Sequence, residues 1–424
     1  MKFNEYKHLD LTKIAEEILA FWKAANIFEQ SITSREGAIP FVFFEGPPSA
    51  NGVPGIHHVM ARSIKDIFCR YKTQKGFQVK RKAGWDTHGL PVELGVEKEL
   101  GITKEDIGKK ISVEDYNKAC KEAVMRYTDI WNDLTEKIGY WVDMEDPYIT
   151  YKPKYMESVW WLLKQLYNKG LLCKGYTIQP YSPKAGTGLS SHELNQPGCY
   201  RDVSDTTVVA QFKVKALAAA ASKALGNPTA PIHILAWTTT PWTLPSNTAL
   251  AVGKEIEYVL VKTFNQYTFE PITIIIGKPL LAKQFGKKFV EGDAAALAAY
   301  TPESKTIPYQ IIGECKGADL VATTYEQLIP WCTPAENADQ AFRVIAGDFV
   351  TTDDGTGIVH IAPTFGADDA RVAKEYGVPP MLVKDAHGNL IPLVDLQGKF
   401  IEGHNIPEAF AGKYIKNEYY DAGQ

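Results

Sequence analysis

The chain has 424 residues, 45% of them hydrophobic and 23% charged, with a formal net charge of −4. That length suggests two or three domains with sizeable cores. The charge excludes a protein-wide basic surface, so any nucleic-acid contact has to come from local patches. Met1-Lys2-Phe3-Asn4-Glu5-Tyr6-Lys7 is too polar for a secretory signal, and no apolar run is long enough to span a membrane. The six cysteines (Cys69, Cys120, Cys173, Cys199, Cys315 and Cys332) are scattered without zinc-type spacing. They point to a reducing cytoplasm rather than a disulfide framework.

Residues 11–24 have helical spacing, and the apolar run 41–45 reads as a buried strand. The loop Gly46 to Gly55 follows, and then a helix that opens on His57 and His58. Over residues 59–74 that helix is amphipathic, with Ile64, Ile67, Phe68 and Tyr71 on one side. Arg62, Lys65, Arg70, Lys72 and Lys75 fall largely on the other. Residues 77–82 form the next strand, which completes a βαβ unit suited to a parallel sheet. Ser112, with Asp115 three residues on, starts a helix expected to run to about Lys137 and to stop at Gly139. An aromatic-rich helix runs from Lys154 to Gly170, and residues 183–199 are loop-like. Beyond residue 200, segments 206–215, 232–237, 256–261 and 272–276 have strand length and pattern. Residues 216–225 form a short Ala-rich helix. The expected organisation is an α/β part over 1–199 and a mainly β domain over 200–424.

Four segments carry chemistry. In Phe44-Glu45-Gly46-Pro47-Pro48-Ser49-Ala50-Asn51-Gly52-Val53-Pro54-Gly55-Ile56-His57-His58, a strand, a loop and a helix N-terminus make an anion site, to which the histidines add donors. The same composition also suits an ordinary turn. Gly84-Trp85-Asp86-Thr87-His88-Gly89-Leu90-Pro91-Val92-Glu93 follows the second strand and therefore lies at the same carboxyl edge of the sheet, where ligands bind. Its Asp86 suits a cationic group such as an α-amine, or simply a helix cap. Trp237-Thr238-Thr239-Thr240-Pro241-Trp242-Thr243 supplies clustered hydroxyls that both donate and accept, or else ends a strand. Asp353-Asp354-Gly355-Thr356-Gly357-Ile358-Val359-His360 leads on to Asp368-Asp369, a weak metal pattern and an equally good ammonium anchor.

Taken together, Gly46-Pro47-Pro48-x-Ala50-Asn51-Gly52 and Gly84-Trp85-Asp86-x-His88-Gly89-Leu90-Pro91-x-Glu93 resemble the isoleucyl-tRNA synthetase family of class I aminoacyl-tRNA synthetases. The Thr-Thr-Thr-Pro-Trp-Thr run and Gly-Thr-Gly-x-Val-His are similar to that family's inserted editing domain, and Gly-Trp-Asp favours isoleucine over valine or leucine. The resemblance implies the first half of a class I Rossmann-type nucleotide-binding fold with an inserted, mainly β editing domain. It implies that Gly46, Pro47, Pro48, Asn51 and Gly55 border ATP and the aminoacyl-adenylate. Asp86 would bind the α-amino group, with Gly84 and His88 beside it, and His57 and His58 would be the catalytic histidines. Thr238, Thr239, Thr240, Thr243 and Asn247 match the rim of the editing pocket; His360 lies in that pocket, and Asp369 grips the ammonium. The implied substrates are isoleucine, ATP with Mg2+, and tRNA(Ile). A cytoplasmic monomer with no membrane contact is expected.

Two departures stand out. Gly55-Ile56-His57-His58 exchanges the first His and the Gly of the family's His-x-Gly-His signature, and His57 is expected to swing into the missing histidine's role. Tyr181-Ser182-Pro183-Lys184-Ala185 lacks the cysteine pair that many members use for zinc, so no zinc is expected. No Lys-Met-Ser-Lys-Ser-type loop occurs, and the chain reads as an N-terminal portion of a longer enzyme with uncovered apolar surface on its α/β part. The function expected of the complete enzyme is isoleucine–tRNA ligation with editing of Val-tRNA(Ile). A stand-alone aminoacyl-tRNA deacylase or a non-catalytic tRNA-binding module, using the Arg62 to Lys75 face and Lys80-Arg81-Lys82, is the alternative.

Overall fold

This computed structural model describes residues 5, 8–174, 177–416 and 419–420. The chain divides into two compact units, Met1–Gly175 and Tyr176–Gln424.

Unit 1 holds a three-stranded parallel sheet of β1 (Pro40–Phe44), β2 (Gln78–Trp85) and β3 (Asp143–Ile149), in that order. Helix Ile56–Gln74 connects β1 to β2, as the βαβ reading requires. The single helix expected over 112–137 is instead two, Val113–Val124 and Thr128–Lys137. Ser112 does cap the first, accepting from the Asp115 N–H at 3.0 Å. The break comes where the Tyr127 N–H donates to the Ala50 carbonyl at 3.1 Å, which takes that donor out of the helical ladder.

The amphipathic helix turns its apolar side outward. Ile64, Ile67, Phe68 and Tyr71 are exposed, whereas Arg62 is buried. Arg62 stacks on Trp131, 4.8 Å from the ring centroid, and Lys65 pairs with Glu45. Arg70 lies over Trp141 at 3.9 Å and pairs with Asp66. Arg81, 2% exposed, reaches Asp66, Thr73 and the Trp141 carbonyl. Carboxylates and aromatic faces thus compensate the buried cations, while among the described residues of the unit nothing buries the apolar face. Much of the basic patch that a tRNA-binding module would need is consumed internally.

Unit 2 is built on a ten-stranded sheet. Its strands are β4 (Val208–Ala216), β5 (Ile232–Thr238), β6 (Ala249–Val252), β7 (Glu257–Phe264), β8 (Pro271–Gly277), β9 (Phe289–Glu291), β10 (Ile307–Lys316), β11 (Thr324–Tyr325), β12 (Arg343–Ala346) and β13 (Ile358–Ile361). They run in the order β9-β10-β7-β8-β5-β4-β11-β12-β6-β13. β13 also lies against β5, so the sheet curls back over its own inner face. Phe212, Ile234, Leu250, Leu260, Ile275 and Leu320 fill that interior. The four expected strands and the Ala-rich helix, Ala219–Ala224, are present. The stretch read as a loop carries a two-residue hairpin, Tyr181–Ser182 with Thr187–Gly188, and one helical turn, Ser191–Leu194. Among the described residues no helix is long and apolar enough to cross a membrane.

One buried hydroxyl aims the chain into β13. Tyr258 accepts from the Gly253 N–H at 3.1 Å and donates to the Gly357 carbonyl at 2.6 Å. Tyr258→Phe leaves both groups unpaired, with an expected loss of about 1–3 kcal/mol in urea unfolding of unit 2.

Candidate functional site

Unit 1 brings its two motif loops together. The Asp86 N–H donates to the Pro48 carbonyl at 2.9 Å, and Trp131 Nε1 donates to the Gly52 carbonyl at 2.8 Å. Ala50, Trp85 and Trp131 pack beneath them. Glu45, 3% exposed, was missed by sequence reasoning, although an acid ending an apolar strand is a signal. Its carboxylate pairs with Lys65 and accepts from the Tyr140 hydroxyl. Gly84 lies under the Tyr148 ring, where a Cβ would collide with the ring carbons. His88 Nδ1 meets the Thr150 hydroxyl at 3.0 Å, and the His88 N–H lies 3.4 Å from Asp86 Oδ1. Gly46, Asn51 and His57 are exposed at the loop surface, and Pro47 is half-buried.

At the helix start the two histidines divide the work. His58 Nδ1 accepts the Gly55 N–H at 2.9 Å, so in the neutral ring the proton sits on Nε2. Burial, with His57, Arg62 and Lys65 nearby, lowers the His58 pKa. The His57 ring folds back over Gly55: a Cβ at position 55 would stand 2.9 Å from His57 Cε1. The imidazole of residue 57 therefore borders the space into which a side chain at position 55 would project.

Unit 2 contains a cleft of about 420 Å³ lined by the Thr238–Thr240 run, Trp242, Thr243, His360 and Asp369, among others. The 3₁₀ turn Pro241–Ser246, directly after β5, carries Trp242 and Thr243, and β13 carries His360. Asp369 lies in the first turn of helix Ala367–Tyr376. The hydroxyls are linked: Thr240 Oγ1 lies 3.3 Å from both Thr238 Oγ1 and Thr243 Oγ1, and Thr243 Oγ1 lies 2.7 Å from His360 Nε2. Thr239 is exposed at the lip. Asn247 does not line the cleft but sits behind it, 3% exposed.

Asp369 Oδ2 accepts the Ala362 N–H at 2.8 Å, which holds the carboxylate across Gly366. A Cβ on residue 366 would stand 2.6 Å from the Asp369 carboxyl carbon, so any side chain there would displace the carboxylate. Burial raises the Asp369 pKa, the backbone N–H opposes the rise, and Asp368 adds to it. Burial also pushes the His360 imidazole down to about 4, which keeps it neutral at physiological pH. Among the described residues no group of three or more His, Cys, Asp or Glu side chains is placed to hold a metal ion.

A cleft with one anchored carboxylate, neutral donors and hydroxyls suits a small ammonium-bearing ligand. A second site pairs a helix N-terminus with two histidines. The family model described as tRNA synthetases class I (I, L, M and V) matches residues 17–352, which take in both unit 1 loops and the threonine run. The chain belongs to the class I tRNA synthetases. It is 61% identical over 441 residues to an isoleucine–tRNA ligase of Porphyromonas gingivalis, covering 100% of this chain and 37% of that one. A ligase of the same name from Cytophaga hutchinsonii is 61% identical over 419 residues, covering 99% and 36%. The chain thus spans little more than a third of the length of the curated relatives it matches.

In this class I synthetase chain the neutral His360 sets a pH dependence. Its pKa is lower folded than unfolded, so below pH 6.5 the unfolded state binds a proton that the folded state refuses. Its contribution to stability is complete above pH 6.5 and is lost as pH falls toward about 4. The expected loss is up to about 3 kcal/mol. Urea unfolding of unit 2 across that window should show it, and His360→Gln should flatten the slope.

Proposed function

We propose that this chain carries part of the adenylate-forming site and the hydrolytic editing site of an isoleucine–tRNA ligase. The observation that carries the reading is Asp369 facing the threonine hydroxyls across one small cleft. In the complete enzyme, isoleucine and ATP, with Mg2+, form the adenylate, and the isoleucyl group passes to tRNA(Ile). Valine differs from isoleucine by one methylene, a pair that is the usual illustration of how little such a difference yields in binding. A second site that hydrolyses Val-tRNA(Ile) restores selectivity.

In that site Asp369 holds the ammonium of the esterified valine. The threonine hydroxyls and backbone groups orient the terminal ribose and a water molecule. Water attacks the ester carbonyl, the bond from carbonyl carbon to ribose oxygen breaks, and the ribose oxygen leaves with a proton as valine departs. No side-chain nucleophile is needed. In the adenylate site, His58 offers Nε2–H from a neutral ring and His57 offers a second donor from above Gly55. Both stabilise charge developing on the ATP phosphates.

Two experiments test the reading. The chain incubated with Val-tRNA(Ile) and Ile-tRNA(Ile) should release valine selectively. Asp369→Ala should abolish release, and Gly366→Ala, which displaces the carboxylate, should lower it by roughly a hundredfold. Equal hydrolysis of both esters, or full activity in Asp369→Ala, overturns the editing role. In the complete enzyme, His57→Ala should lower ATP–pyrophosphate exchange by roughly a hundredfold, and unchanged exchange removes His57 from the reaction.

A further inference from the structure

Behind the unit 2 cleft, buried side chains form a hydrogen-bond chain whose direction is fixed by chemistry. The Asn247 amide nitrogen lies 2.8 Å from the Ala249 carbonyl oxygen. A carbonyl only accepts, so the amide nitrogen rather than its oxygen faces that way. The amide oxygen therefore faces Tyr325, whose hydroxyl donates to it at 2.7 Å. Tyr325 is 2% exposed, its ring edge-on to Phe212 and Phe342.

The second amide N–H meets His360 Nδ1 at 3.3 Å. A ring nitrogen that accepts carries no proton, so the imidazole hydrogen sits on Nε2 and is donated to Thr243 Oγ1 at 2.7 Å. The Thr243 hydroxyl then donates to the Thr240 carbonyl at 2.7 Å. The Asn247 amide nitrogen also lies 3.5 Å from the Ile361 carbonyl, and Thr243 Oγ1 3.3 Å from Thr240 Oγ1. The shorter contacts nevertheless run in one direction, and reversing any of them would set two donors or two acceptors face to face.

We propose that Tyr325 is a positioning residue of the cleft, which together with the Ala249 carbonyl holds the Asn247 amide, and through it His360 in its Nε2–H tautomer, and so locks the Thr243 hydroxyl onto the Thr240 carbonyl. The proposal rests on the reading of the cleft as a hydrolytic site. Tyr325 touches no substrate, and its effect reaches the threonine rim only through the relay. In the opposite tautomer Nε2 accepts, Thr243 donates to it, and the Thr240 carbonyl loses the bond that holds the rim in place. Because burial keeps the imidazole neutral, the tautomer and not the charge is what the relay sets.

The test uses the 424-residue chain with 15N-labelled histidine rings, His360 being assigned by its loss in His360→Gln. In the wild type, His360 Nδ1 should resonate as an unprotonated nitrogen and Nε2 as a protonated one; the reverse pattern overturns the proposal. Tyr325→Phe, its fold checked by circular dichroism, should draw the two resonances toward each other. It should also lower kcat for valine release about tenfold with KM unchanged. Retention of either the wild-type pattern or the wild-type kcat overturns the proposal. Fluorotyrosine at position 325 keeps the shape and is a stronger donor, so it should move the His360 resonances even if Tyr325→Phe fails to fold; unmoved resonances refute the relay. A wild-type chain that releases no valine refutes the hydrolytic reading instead, and the nitrogen resonances still decide the tautomer.

Discussion

Glu45 leaves β1 with only 3% of its surface exposed, and a carboxylate so placed has to find its partners within unit 1. Its N–H donates to the Lys82 carbonyl of β2 at 2.8 Å, and its own carbonyl accepts from the Tyr148 hydroxyl of β3. Its side chain takes the Lys65 ammonium and the Tyr140 hydroxyl. One residue therefore ties all three strands to helix Ile56–Gln74, at the point where the Gly46 to Gly55 loop begins. Lys65 must face inward to meet it, and Arg62, one turn earlier, turns inward with it onto Trp131. The apolar stripe of the same helix is then rotated outward by geometry alone.

Unit 2 meets the same constraint with neutral groups. The turn before β13 is made by Gly355 and Gly357, at φ +76° and +72°, and Gly355 lies against the Trp237 ring. Tyr258 holds this turn from the core side, so β13 enters beside β5 with His360 already aimed at Thr243. Desolvation would be severe for a charged imidazole at this depth, and the surrounding acceptors and donors suit the neutral ring. The cleft wall is consequently set by the fold before any ligand arrives.

What was legible in the sequence follows from where the deciding interactions lie. β1, β2 and the strands β4, β5, β7 and β8 could be read from their apolar patterns. β1, expected to be buried, nevertheless exposes Val42 and Phe44 in this unit. β3 and the short strands of unit 2 gave no comparable pattern. Ser112 was legible as a cap because its partner is three residues away. The break between Val113–Val124 and Thr128–Lys137 was not, since it depends on Tyr127 bonding to Ala50, more than seventy residues upstream. The orientation of helix Ile56–Gln74 was hidden for the same reason: an amphipathic pattern gives two faces, and Glu45, Trp131 and Trp141, all outside the helix, decide which is buried. At the cleft, Thr238, Thr240, Thr243, His360 and Asp369 announced themselves by residue type and are brought together. Asn247 was found but sits one layer further back. Tyr325 gave no signal, because an aromatic residue in a two-residue strand looks like ordinary core.

The two histidine sites share a logic that bears on their chemistry. His58 and His360 are each lowered in pKa by burial, and each has Nδ1 occupied by an N–H donor, His58 by Gly55 and His360 by Asn247. Both rings therefore present Nε2–H as a directed, uncharged donor rather than as a base. At the helix N-terminus, such a donor supports negative charge on a ligand without introducing a fixed cation. In the cleft, it leaves Asp369 as the only anion among the described residues that line the site, one oxygen held by Ala362 and the carboxylate laid across Gly366. An ammonium ion is then the one charged group the cleft attracts, and with His360 donating and Thr243 already bonded to Thr240, neither can serve as the base of a nucleophilic mechanism. On the proposed editing reading, water is the remaining nucleophile.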